Sequence, residues 1–393
     1  MAQRGGGTAV AGPPVKLRRS PRESWSPPID PVIPPGEDAL PEAEPAPPPR
    51  RRRRWPMVVG GFVAVAVAVA GIIRLPYYVL SPGSATAVEP LVSVQGAQSY
   101  RHPGSILFTT VALAGDVNAF ALLHGWLSPT DDVVSRKAIT GGTPTKTYNQ
   151  ENVQAMTDSK TAATKVALER LGYKVPARGD GALVVQVSPQ SPADGLLKAG
   201  DVVTAVDGTP VNFDEQSVAA VHAHKPGDVI TFTVNRDGRS QPVAVKAGDD
   251  GKGVAKVGVA LQTKNLRYDF PVQVNIDTGK VAGPSAGLAF TMALLDDLSA
   301  GDLTNGKKVA VTGTIDVDGN VGPVGGVAQK TAAAKRAGAI AFLVPPDEEA
   351  EAKRHAGKMP ILVVRTVDDA LAALHQLGGA SLPAPATTTS PTH

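Results

Sequence analysis

The stretch Ala282-Gly283-Pro284-Ser285-Ala286-Gly287-Leu288-Ala289-Phe290-Thr291-Met292-Ala293-Leu294-Leu295 decides how this chain is read. Residues 288–295 form an apolar run of helical length without a breaker, which predicts a helix over 285–298 with Ser285 at or near its positive end. The small residues around the serine allow a substrate backbone to approach closely, and the N–H groups of the turn are free to bind a developing oxyanion. Further on, Val309-Ala310-Val311-Thr312-Gly313 reads as a strand closed by a hydroxyl residue. After a turn at Asp318-Gly319 comes Gly325-Gly326-Val327-Ala328-Gln329-Lys330, with Lys330 in the first turns of an alanine-rich helix. A lysine serves as base for a serine only when it is neutral, which requires burial to depress its pKa. The small apolar neighbours Thr331-Ala332-Ala333-Ala334 suit that need.

Gly-Pro-Ser-Ala-Gly, then Thr-Gly, then Gly-Gly-x-x-x-Lys resembles the proteolytic domain of Lon proteases. Lys330 lies 45 residues after Ser285, a separation that suits the serine–lysine dyad of that family. The resemblance implies Ser285 as nucleophile, Lys330 as base and Thr312 as the hydroxyl that hydrogen-bonds the lysine. Many Lon enzymes carry an acidic residue before Gly-Pro-Ser where this chain has Ala282, so a bare Ser–Lys pair is expected.

The 393 residues suggest two or three domains with ample core. The net charge of +3 conceals a basic N-terminal segment, and the scarcity of aromatics implies a core of small aliphatics. The absence of cysteine excludes disulfides, thiolate metal sites and cysteine nucleophiles. No Gly-x-x-x-x-Gly-Lys-Ser/Thr occurs in these residues, so no phosphate-binding motor loop is expected. No cofactor and no nucleic-acid partner are expected.

Residues 1–54 are rich in Pro, Gly, Arg and Glu and read as a disordered tail. They end in Arg50-Arg51-Arg52-Arg53-Arg54, directly before the uncharged run 57–73. With Arg74 able to snorkel and Tyr77 and Tyr78 placed as an interfacial belt, residues 55–80 are expected to be a transmembrane anchor. The arginines predict a cytoplasmic N-terminus and, beyond residue 80, an extracytoplasmic chain held at the cell membrane. Ala85-Thr86-Ala87 resembles a signal-peptidase site, but the long tail and apolar run favour an uncleaved anchor.

Residues 81–175 offer no chemistry and are expected to be an N-terminal extension packing on the core, with a strand over 105–113 and helices over 119–126 and 149–171. From 176 to 250 the pattern is short strands and turns. Leu183-Val184-Val185-Gln186-Val187, Ser191-Pro192-Ala193-Asp194-Gly195, Ala199-Gly200-Asp201 and Val206-Asp207-Gly208 follow in an order that closely resembles bacterial PDZ domains. The resemblance implies a groove that takes an extended peptide as an added strand, with Gly181, Ala182 and Leu183 as its carboxylate-binding loop and 213–221 as the flanking helix. From 256 to 378 strands alternate with helices, as the Lon resemblance implies, and 379–393 reads as a disordered tail.

Other motifs are weaker. Gly283-Pro284-Ser285-Ala286-Gly287 also satisfies Gly-x-Ser-x-Gly, which would recruit Asp347 with His355 or His375, but no strand runs directly into the serine. His222-Ala223-His224 lacks a third metal ligand, and Asp316-Val317-Asp318-Gly319-Asn320 reads as a hairpin turn rather than a calcium loop. The expected architecture is therefore a multidomain α+β chain: disordered tail, one transmembrane helix, β-rich PDZ domain and α/β-type Lon proteolytic domain. The expected function is an ATP-independent serine endopeptidase that takes protein or peptide substrates, and by resemblance a possible homo-oligomer. The competing expectation is an inactive or self-cleaving PDZ scaffold or chaperone-like binder.

Overall fold

The computed structural model describes residues 55–382 of the chain. The chain divides into two units, Met1–Val59 and Gly60–His393. The tail expected over 1–54, and most of that expected over 379–393, lie outside the described residues.

The first described element is the apolar helix Trp55–Ile72. The membrane anchor expected over 55–80 is corrected here, since among the described residues no helix is long and apolar enough to cross a membrane. Its 18 residues reach only about 27 Å, short of a hydrocarbon core of about 30 Å. Residues 77–80, included in the expected anchor, are not helical. They begin the strand Tyr77–Ala87, whose residues 78–82 pair with 111–115, and Tyr78 and Val79 are buried there. The cell-membrane localisation and the sidedness drawn from the anchor lose their support with it.

Six strands form one sheet in the order Ile361–Val363, Ala341–Val344, Lys308–Val311, Ser105–Gly115, Tyr77–Ala87 and Asp132–Ser135. The first four run parallel, with Ala310 opposite both Leu107 and Phe342, and the last two are antiparallel. The parallel strand Ala341–Val344 is buried along its whole length, as a strand covered on both faces must be. Residues of the segment 81–175 thus supply two whole strands and most of a third to the same sheet as 308–363. The same segment supplies the 26-residue helix Thr145–Arg170, whose Met156, Ala163, Val166 and Ala167 join the core of Leu288, Phe290, Met292 and Leu294. The helix Gly287–Asp297 is buried from Gly287 to Asp296, which explains a sequence apolar on every side.

A second sheet has the order Arg239–Lys246, Val229–Arg236, Val202–Val206, Ala182–Val187 and Val259–Thr263, with its own core around Val184, Ile230, Phe232 and Val234. The helix Asp214–His222 lies against it. The strand Val259–Thr263, beyond the expected end of this module at 250, closes its edge by pairing with residues 182–187.

Candidate active site

Ser285 lies in a single 3-10 turn, Pro284–Ala286, directly before the buried helix Gly287–Asp297. Gly283 ahead of it has φ +95°, a conformation that a side chain disfavours. The turn is pinned from two sides. The Gly283 N–H donates to the Asn152 carbonyl at 3.0 Å, and the Ser159 hydroxyl donates to the Pro284 carbonyl at 3.0 Å. On the other side, the Ser285 carbonyl accepts from the Gly313 N–H at 3.0 Å and from the Thr312 hydroxyl at 3.2 Å. A Cβ at Gly287 would come within 2.6 Å of Ser159 Oγ and 2.7 Å of Ile315 Cγ2, so only glycine permits this packing.

Thr312 follows the strand Lys308–Val311 and is fully buried. Lys330 sits in the first turn of the helix Val327–Arg336, 3% exposed, and its Nζ donates to Thr312 Oγ1 at 3.2 Å. The structure therefore joins the three expected residues in one chain of bonds, with Thr312 between the lysine and the serine turn. The donor count matters. The single proton of the Thr312 hydroxyl is given to the Ser285 carbonyl, so this oxygen can only accept from Lys330. A neutral Lys330 then keeps its lone pair unclaimed by threonine and free for a proton.

Burial holds the Lys330 amine far below its ordinary range, from 10.5 down to about 8, and the nearby Glu348 carboxylate opposes part of that fall. The cause is loss of hydration around a buried cation. Near pH 8 about half of such an amine is neutral.

Two N–H groups after the serine are already engaged: Gly287 N–H to the Pro284 carbonyl and Leu288 N–H to the Gly313 carbonyl at 3.2 Å. This narrows the expected oxyanion donors in the turn to the N–H groups of Ser285 and Ala286.

The expected carboxylate-binding residues are not brought to a groove. The Gly181 N–H and carbonyl bond Asn212 and Lys264, Ala182 is fully buried, and Leu183 pairs with Val202 on one side and Gln262 on the other. An apolar cavity of about 220 Å³ lies instead between Ser217, Val218 and Val221 of the helix Asp214–His222 and Val257, Val259 and Leu261.

The alternative motifs have other partners. His355 Nε2 lies 3.1 Å from Glu351, His375 Nδ1 lies 3.0 Å from the Gly379 carbonyl, and His224 pairs with Asp207 at 2.8 Å. Asp316 Oδ1 accepts from the N–H groups of Asp318 and Asn320, the bonding of a tight turn. Among the described residues no group of three His, Asp or Glu is placed to hold a metal ion.

Sequence reasoning missed Asn152, Ser159 and Glu348. The first two sit in a helix read as empty of chemistry, and nothing local marks them. Glu348 had a local signal: an acid in Pro345-Pro346-Asp347-Glu348, directly after a wholly apolar strand.

Two family models match parts of the chain. Residues 169–247 match the family model of the PDZ domain, and residues 259–376 match that of the Lon protease (S16) C-terminal proteolytic domain. The Lon protease of Methylocella silvestris is 32% identical over 197 residues, covering 48% of this chain and 23% of that protein. Lon protease 1 of Sorangium cellulosum is 34% identical over 120 residues, 29% of this chain and 14% of its own. A probable periplasmic serine endoprotease DegP-like of Rhizobium meliloti is 34% identical over 155 residues, covering 37% of this chain and 30% of that protein. The chain thus spans less than a third of the length of these relatives. The proteolytic-domain match and the Lon relatives support a serine peptidase of the S16 type.

Proposed function

We propose that the chain is a serine endopeptidase that works without ATP, with Ser285 as nucleophile, Lys330 as general base and Thr312 orienting the lysine. The observation that carries this reading is Lys330 itself, a lysine buried to 3% exposure whose amine meets a hydroxyl instead of a carboxylate. A fold gains nothing in stability from that arrangement, whereas a base at neutral pH requires it. Neutral Lys330 takes the Ser285 proton as Oγ bonds to the peptide carbonyl carbon, and the oxyanion is held by N–H groups of the serine turn. The lysine then gives its proton to the departing amine, leaving an acyl-enzyme. It next takes a proton from water, whose oxygen attacks the acyl carbon, and Ser285 leaves with that proton. The test is hydrolysis of an unstructured protein by the purified chain without nucleotide, with Ser285→Ala as control.

The substrate reaches this site through the second sheet. The edge strand Val259–Thr263 has one strand neighbour among the described residues, and its other side borders the apolar cavity beneath the helix Asp214–His222. An extended peptide that adds to this edge would place side chains in the cavity. Val218→Asp puts a charge on that wall, and Val218 is 41% exposed, so the fold tolerates it. Cleavage of an unstructured protein is expected to weaken roughly tenfold through KM, while a short peptide that reaches Ser285 alone is cleaved at the wild-type rate. Equal losses on both substrates would make the module a structural support.

A further inference from the structure

Lys330 lies on the connection between two parallel strands, Lys308–Val311 and Ala341–Val344. Thr312 follows the first strand at its C-terminal end, and the turn Pro346–Glu348 follows the second at the same end of the sheet. The topology thus brings a hydroxyl and a carboxylate to the lysine from adjacent strand ends. Thr312 is already in the proposed mechanism, and Glu348 is not.

Glu348 is only 7% exposed. Its Oε1 accepts the Val324 N–H at 2.7 Å, just before the Gly325-Gly326 turn that opens the lysine helix. Its Oε2 is buried without a hydrogen-bond partner. A carboxylate that served only to hold a turn would need one oxygen, and an amide would hold the turn without the cost of a buried charge.

Several other charges around the lysine helix have partners of their own. Asp132 accepts from the Gln329 amide, Lys335 donates to the His355 carbonyl, and Lys353 and Arg354 pair with Glu349 and Glu351. The Glu348 carboxylate acts on the Lys330 amine, favouring its charged form.

We propose that Glu348 is a positioning residue for the Ser285–Lys330 pair, fixing the turn before Lys330 and stabilising the ammonium that forms on Lys330 while the serine is acylated. The inference rests on the reading of Lys330 as general base. Glu348 takes no proton in the cycle: the Ser285 proton goes to Lys330 Nζ and from there to the leaving amine. Its carboxylate favours the state in which the lysine is protonated.

Glu348→Gln is close to isosteric and keeps an oxygen for the Val324 N–H while removing the charge. Its expected signature is a pair of pH–rate profiles for a short peptide that converge on the acid side and separate on the alkaline side. The rising limb moves roughly one pH unit toward acid, because the lysine loses its counter-charge, and the alkaline plateau falls roughly tenfold, because the ammonium is less stabilised and the base weaker. A structural role alone would lower the profile without moving the limb, and an unmoved limb overturns the proposal. Thermal stability against pH, measured in the Ser285→Ala background with and without Glu348→Gln, reads the same lysine without turnover. The pH range over which stability recovers should start lower in the double variant, and coincident curves overturn the proposal even if the variant is too weak for kinetics. Wild-type activity that survives Ser285→Ala would instead mean that the underlying reading has failed, a result distinguishable from an unmoved limb.

Discussion

Lys330→Met is expected to make the protein more stable while removing its activity. The sign follows from the lysine's displaced pKa. In the unfolded chain the amine titrates near 10.5 and in the fold near 8, so below pH 8 the fold must bury a cation that water would hold better. The unfolded state binds more protons between those values, so wild-type stability rises with pH through that range. At pH 7 the whole cost is present, about 3 kcal/mol at about 1.4 kcal/mol per pH unit. Methionine has similar length, needs no hydration, and leaves Thr312 bonded to the Ser285 carbonyl. The melting temperature should rise by roughly 5–10 °C near pH 7, with the gap from wild type closing toward pH 10.5. Peptide hydrolysis should vanish in the same variant. A melting temperature that falls at pH 7 would mean that the lysine is held there by interactions that favour its charge, and a charged lysine cannot serve as base.

Ser285→Ala is the second large effect, and here fold and function should separate cleanly. Among the described residues no hydrogen bond from the Ser285 hydroxyl holds the fold, while its carbonyl accepts two, and those survive in alanine. Stability should change by less than about 0.5 kcal/mol, the range for substitutions that touch no structural feature. Turnover of an unstructured protein should drop by roughly 10⁴-fold or more, since no oxygen remains to form the acyl bond. Residual activity near the wild-type rate would move the nucleophile elsewhere. Loss of turnover in both chains, with peptide still bound, would leave a peptide-binding protein.

The parts of this molecule that were legible in its sequence are those whose cause is local. Glycines around Ser285, the run 288–295 and the alanines after Lys330 each dictate their own backbone and burial. The helix Gly287–Asp297 and the low exposure of Lys330 follow from them. What depends on partners distant in the chain was not legible. Leu107 pairs with Ala310 across about two hundred residues, and nothing in the strand period of 105–113 names that partner. Asn152 and Ser159 likewise look like ordinary helix residues until the serine turn is laid beside them. The expected anchor fails because hydropathy counts apolar residues without asking their conformation. Tyr78 and Val79 are apolar because they are buried in a sheet, not because they face lipid. The strand Val259–Thr263, which borders the apolar cavity, enters from beyond the module's expected end at 250, and no local pattern in 176–250 announces it.

The central claim is that Lys330 is neutral enough at working pH to take the serine's proton. The measurement that tests it most directly is kcat/KM for a short peptide between pH 6 and pH 10, which reports ionisations of the free enzyme. The account predicts one ascending limb with a midpoint of about 8, tenfold per unit below it and level above, so that about a tenth of the plateau remains at pH 7. His355→Ala and His375→Ala should leave that profile unchanged, and Lys330→Arg should be inactive throughout, because a guanidinium does not release its proton in this range. A limb near 6.5 that disappears with either histidine, or a rate independent of pH across the whole range, would contradict it.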